Sequence, residues 1–111
     1  MRKHRYLKIP RFVKVLGNSM YPTYKEEEVL FVRPIRFSKI KEGDVIVFLQ
    51  PGTRFRLNIK RVDAKLTTSN MVWVLGDNAD KSHDSRDYGW VHAKDILGIV
   101  RPQRKKVIDN E

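Results

Sequence analysis

The longest uninterrupted apolar runs in this chain, Val45–Leu49 and Met71–Leu75, are five residues each. A run of that length suits one β-strand and falls far short of the ~20 residues that a membrane-spanning helix needs. Short runs closed by turn residues recur along the whole chain. Phe12–Leu16 reads as a strand ending at Gly17, and Val29–Val32 as a second, closed by Pro34. Lys41-Glu42-Gly43-Asp44 turns into Val45–Leu49. Gln50-Pro51-Gly52-Thr53 then leads into Phe55–Val62, which predicts a hairpin. Thr67–Asn70 is a polar turn before Met71–Leu75, His92–Ile96 has room for one helical turn, and Leu97–Val100 is a closing strand. Helix is scarce, and the predicted class is all-β or mostly β.

Hydrophobic residues make up 41% of the 111 positions and are spread along them, enough for one domain with a modest core. The predicted division is a basic lead over 1–11, a folded domain over 12–101 and a charged tail over 102–111. Cysteine is absent, which excludes disulfides, thiolate nucleophiles and cysteine-ligated zinc. Nothing in the sequence calls for a metal or a cofactor.

Basic residues outnumber acidic ones 23 to 13, a net charge of +10. Arg2, Lys3, Arg5, Lys8, Arg11 and Lys14 crowd the first fourteen positions, and Arg101, Arg104, Lys105 and Lys106 the other end. Such ends suit an anionic partner: nucleic acid, a membrane surface or an acidic protein. Phe12, Tyr21, Phe31 and Phe55 could stack on bases. Because they fall in strand-like runs, core packing is expected of them, and nucleic acid is the disfavoured partner. No apolar segment follows the basic start, so no secretory signal is read there, and the chain is expected to be soluble and cytoplasmic.

The candidate chemistry begins at Gly17-Asn18-Ser19-Met20-Tyr21-Pro22-Thr23. A serine between a glycine and a proline sits in a constrained loop that can expose its hydroxyl and leave its own N–H for an oxyanion. A hydroxyl needs a base, and His4, His83, His92 and the lysines are available. A Ser19–His83–Asp84 triad is disfavoured, because neighbours in sequence usually point apart. Lys60 is the alternative. In Phe55–Val62 the residues Phe55, Leu57 and Ile59 form an alternating apolar face, which puts Lys60 beside Asn58 and Val62 on the other. Locally that is a surface lysine. To act as a base it must be covered and its pKa lowered by burial.

The segment Gly76–Gly89 is the expected cover. It is long, polar and without periodicity, as functional loops often are. Most of its Asp, Asn and Ser residues are expected to bond within the loop, with Asp84 and Arg86 as an internal ion pair. Ser82 is the residue assigned to chemistry, as a hydroxyl that orients the lysine amine.

These segments together resemble the type I signal peptidases, which use a serine–lysine dyad. Gly17-x-Ser19-Met20-x-Pro22-Thr23 resembles their nucleophile box, and Gly43-Asp44-Val45-x-Val47-Phe48 their next motif strand. Lys60-Arg61-Val62 is similar to the box with the general base. Gly76-Asp77-Asn78 and Ser82-x-Asp84-Ser85-Arg86-x-x-Gly89-x-Val91 are similar to the last box. The blocks occur in the family's order. The resemblance implies twisted antiparallel β-sheets, partly closed into a barrel, as in signal peptidases and LexA-like repressors. It implies Ser19 as nucleophile and backbone oxyanion donor, Lys60 as base, Ser82 holding the amine, and Asp84 and Arg86 supporting the loop. Gly17 stands where some relatives place a serine hydroxyl as second oxyanion donor.

Two departures bear on the substrate. No transmembrane helix precedes the nucleophile box, and the stretch after Val62 is reduced to Asp63-Ala64-Lys65-Leu66 before the turn. In this the chain resembles the maturation proteases of nickel-type superoxide dismutase. The expected partner is then a precursor protein whose N-terminal extension is removed. The rival expectation is processing of exported preproteins at a membrane, with the basic N-terminus in peripheral contact with anionic lipid. A non-catalytic, nucleic-acid-binding β-domain is the alternative outside the enzyme class.

Overall fold

The computed structural model of the chain describes residues 10–53 and 55–101. Most of the basic lead, with His4, and the C-terminal tail, with Arg104, Lys105 and Lys106, lie outside the described residues. The strands are β1 (Phe12–Lys14), β2 (Val29–Arg33), β3 (Val45–Leu49), β4 (Leu57–Leu66), β5 (Met71–Leu75), β6 (Val91–His92) and β7 (Ile96–Val100). All pairings are antiparallel, in the order β1-β2-β7-β3-β4-β5-β6. The mostly-β class therefore holds. The sheet is not closed into a barrel: β1 and β6 are its two edges. Among the described residues, helix is confined to α1 (Ser85–Tyr88) and short 3-10 turns at Phe37–Lys39, Ala79–Lys81 and Ala93–Asp95. No helix among the described residues is long and apolar enough to cross a membrane.

The unbroken apolar run Val45–Leu49 becomes the central strand β3, buried on both faces. Val45 and Val47 join Val15, Met20, Leu30 and Val100 in one core cluster. Ile46 and Phe48 point the other way, into a second cluster with Val62, Val72, Val74 and Val91. Alternation around β3 thus divides the interior into two cores, one on each side of the sheet.

Two expectations are corrected here. β4 starts at Leu57 and runs on to Leu66, past a register shift after Val62. Its Lys60–Val62 face is the buried one, while Leu57 is exposed and Phe55, before the strand, is 88% exposed. Phe55 and Leu57 line an open cleft instead of the core. Phe12, Tyr21 and Phe31 are exposed as well, instead of filling the core. Phe12 and Phe31 stack on each other across β1 and β2, ring centroids 4.8 Å apart. Of the three, Phe12 also lines the open cleft that contains Ser19.

Phe48→Ala should therefore cost about 3–5 kcal/mol of stability, and Phe55→Ala no more than about 0.5 kcal/mol. Urea unfolding of the two variants checks the assignment of the core.

Candidate active site

The loop after β1 is shaped by a glycine and anchored by a methionine. Gly17 has φ +77°, which a side chain would strain, so glycine is the fitting residue where some relatives carry serine. Its N–H donates to Glu26 Oε2 at 3.2 Å. Met20 is buried in the first core cluster, and the chain turns about it through Tyr21 N–H to Asn18 O and Tyr24 N–H to Met20 O. Ser19, next to this buried anchor, is only partly covered. Its N–H finds no acceptor among the described residues.

Lys60 enters from β4. Its Nζ lies 3.1 Å from Ser19 Oγ, a hydrogen bond across 41 positions of sequence. Only 5% of the lysine is exposed. Burial lowers its pKa from the ordinary lysine value, and the nearby Asp84 carboxylate offsets this only in part.

The segment after β5 closes over this pair. Gly76 is buried, and a Cβ there would meet Ser82 and come within 2.7 Å of the Ser19 carbonyl oxygen. Asn78 donates twice to the serine loop, from its N–H to Ser19 O at 2.8 Å and from Nδ2 to Asn18 O at 2.9 Å. Asp77 accepts from Arg61 Nε at 2.8 Å and Nη2 at 2.7 Å, and from Thr23 Oγ1. Arg61 Nη1 donates to Gly43 O at 2.8 Å. Sequence reasoning gave Arg61, Asp77, Thr23 and Asn78 no role of their own; membership in the motif blocks was the signal that could have found them.

Ser82 is placed in this wall, yet among the described residues its hydroxyl does not bond to Lys60. It donates to Asp84 Oδ2 at 2.6 Å. Asp84 has no exposed surface and is surrounded by donors: Gly76 N–H at 2.8 Å, Arg86 N–H at 3.1 Å, and Arg86 Nε and Nη2 at 2.9 and 3.0 Å. It also caps α1, with Asp87 accepting the Asp84 N–H in return. Burial pushes the Asp84 carboxyl up, but these hydrogen bonds outweigh it and hold the pKa well below the usual carboxylate range. The Ser19–His83–Asp84 arrangement is not formed. His83 faces Asp87 at 3.4 Å, and Asp84 is engaged by Arg86.

A sequence profile of the Peptidase S24-like family matches residues 10–101. The chain is similar to mitochondrial inner membrane protease subunit 1 of Homo sapiens, 32% identical over 93 aligned residues that cover 66% of this chain and 56% of that protein. It is also similar to the inactive signal peptidase IA of Staphylococcus aureus (strain MRSA252), 37% identical over 43 residues, 39% of this chain and 25% of that one. The chain thus spans about half the length, or less, of these curated relatives.

Two outcomes test the wall of the site. Gly76→Ala should destabilise the fold by about 1–3 kcal/mol, because neither the Ser19 backbone nor Ser82 can yield freely; urea unfolding measures this. Asp77, through its Arg61 hydrogen bonds, and Asp84 both release their protons more readily in the folded chain than in the unfolded one. Below the ordinary aspartate value of 3.8 the unfolded chain therefore binds more protons. Stability should fall as pH drops through that region, and thermal melts from pH 6 to 2 should show Tm decreasing below pH 4.

Proposed function

The chain belongs to the peptidase S24-like family, and from that premise we propose that it is a serine endopeptidase with Ser19 as nucleophile and Lys60 as general base. The observation that carries this reading is the 3.1 Å contact between Lys60 Nζ and Ser19 Oγ, with the lysine buried. One relative is named inactive; here both residues of the pair are present and in contact.

The chemistry needs the neutral amine, whose lone pair accepts the Ser19 hydroxyl proton as Oγ bonds to the scissile carbonyl carbon. The oxyanion formed is within reach of the Ser19 N–H, which has no competing acceptor among the described residues. Collapse of the intermediate breaks the C–N bond, and the Lys60 ammonium returns its proton to the departing amine. Lys60 then takes a proton from water as that water attacks the ester, and returns it to Ser19 Oγ as the C–O bond breaks, which frees the acid product and restores the hydroxyl and the neutral amine. Ser82 and Arg86 act through Asp84: they fix the carboxylate behind the lysine and the wall that keeps water from it.

Substrate geometry follows from β1, which pairs only with β2 among the described residues. Arg11 O accepts from Val32 N–H in β2, and Val15 bonds to Glu27 and Glu28 just before that strand, so by antiparallel alternation Phe12 and Lys14 turn their backbone groups outward. An extended peptide can add to that edge and run toward Ser19. The proposed substrate is a cytoplasmic precursor protein with an N-terminal extension, and the resemblance in sequence makes the nickel-type superoxide dismutase precursor the first to test. Similarity to a mitochondrial inner membrane protease subunit favours a second reading, processing at a membrane. Incubation with that precursor and, separately, with a signal-peptide-bearing preprotein, followed by N-terminal sequencing of the products, separates the two. Cleavage of neither overturns both.

Ser19→Ala and Lys60→Met should each reduce cleavage by about 10³-fold or more while circular dichroism stays unchanged. Lys60→Met should be no less stable than the parent at pH 7, since it removes a buried charge and keeps the volume. Cleavage should rise with pH through an apparent pKa below the ordinary lysine value of 10.5, because burial favours the neutral, active amine. Wild-type turnover by Lys60→Met, or a rate that falls across pH 6–9, would sink the dyad.

A further inference from the structure

Resting on the peptidase reading above, we propose that the cleft selects precursor segments carrying acidic side chains a few residues from the scissile bond. The cleft at Ser19 has a volume of about 750 Å³, and its described lining contains no aspartate or glutamate. It is instead ringed by cations from three separate segments: Lys14 on β1, Arg56 at the end of the β3–β4 hairpin, and Lys81 on the segment over the site. Arg56 and Lys81 are exposed, and neither has an ion-pair partner among the described residues. Lys14 is paired with Glu27 at 3.3 Å, but both side chains are more than half exposed, so that pair is weak and exchangeable. His83, also in the lining, lies 3.4 Å from Asp87, which is not itself part of the lining.

Between these cations the walls are apolar. Phe12 and Leu16 stand on one side, Phe55 and Leu57 on the other, all substantially exposed. Low-dielectric walls under a rim of one sign strengthen the field that an entering peptide meets. The complement is an extended segment with apolar side chains against the walls and carboxylates at the rim.

The base restricts where those carboxylates can sit. An anion against Lys60 would stabilise its ammonium and oppose catalysis, as Asp84 already does in part. The acids therefore belong at the outer rim, near Arg56 and Lys81, rather than beside the scissile bond.

The test uses the full chain with Ser19→Ala, so that binding is read independently of turnover. Fluorescent peptides of one sequence, differing only in two flanking residues (both Asp, both Gln or both Lys), are titrated by anisotropy at low and at 0.5 M salt. The Asp peptide should bind about 3- to 10-fold more tightly than the Gln peptide at low salt, and the gap should close in high salt. Arg56→Glu with Lys81→Glu should reverse the order, whereas Lys39→Glu with Lys41→Glu, the same charge change away from the cleft, should leave it. Equal binding of all three peptides, or a reversal by the remote pair as well, overturns the proposal. If Arg56→Glu/Lys81→Glu weakens only binding to phosphatidylglycerol vesicles, the rim is a lipid contact and the proposal also falls. Wild-type turnover of the same peptides reports separately on the peptidase reading: charge-ordered binding without cleavage leaves this proposal standing and sinks that one, and cleavage blind to charge does the opposite.

Discussion

Arg61 and Asp77 hold the site together. Two guanidinium nitrogens meet both carboxylate oxygens, at 2.8 and 2.7 Å, and a third donates to Gly43 O. The same carboxylate accepts from Thr23 in the serine loop. One planar fork therefore fixes β4, the turn before β3, the serine loop and the segment after β5 against one another. Lysine at position 61 could not do this, because a point charge lacks the paired donors. The Ser19–Lys60 contact lies one residue from this clamp on the β4 side and inherits its register.

A separate set of hydrogen bonds, around Asp84, decides how the charges around Lys60 resolve. A buried ammonium close to a buried carboxylate would ordinarily form an ion pair, and the lysine would then stay protonated. Asp84 is already occupied by Arg86, Ser82 and two backbone N–H groups. Its attraction on Lys60 is consequently the smaller influence, and loss of solvation the larger. Arg86 therefore favours a neutral Lys60 amine without touching it. The same arrangement explains why Ser82 faces Asp84: a carboxylate with no exposed surface draws the hydroxyl proton more strongly than an amine that itself has protons to donate.

How much of this was legible in the sequence depended on the range of the interaction concerned. Strand positions were readable because apolar runs and turn residues act locally; Val45–Leu49 and Met71–Leu75 form strands with the bounds their sequence suggests. The direction of β4 was not. Alternation marks two faces, but Phe55 and Leu57 are as apolar as a core pair, and only the covering segment reveals that Lys60 and Val62 lie on the buried side. The exposed Phe12 and Phe31 misled for the same reason, since hydrophobicity does not say whether a partner surface exists. The Arg61–Asp77 fork joins residues 16 positions apart in sequence, and no periodicity could have paired them. Motif order brought these residues to attention; tertiary contact gives each its task.

The exposed apolar walls raise a last question of balance. A domain of this size has little core to spare, yet Phe12, Leu16, Phe55 and Leu57 remain in water around one cleft. Left uncharged, such a patch would favour self-association. Lys14, Arg56 and Lys81 interrupt it with charge of a single sign, so two copies of the face repel. In the proposed selection, an acidic, partly apolar peptide meets no such repulsion and uses the same surface. The feature that keeps the open cleft from closing on itself is thus also the feature that can discriminate among extended chains, and both follow from keeping acidic residues out of the described lining.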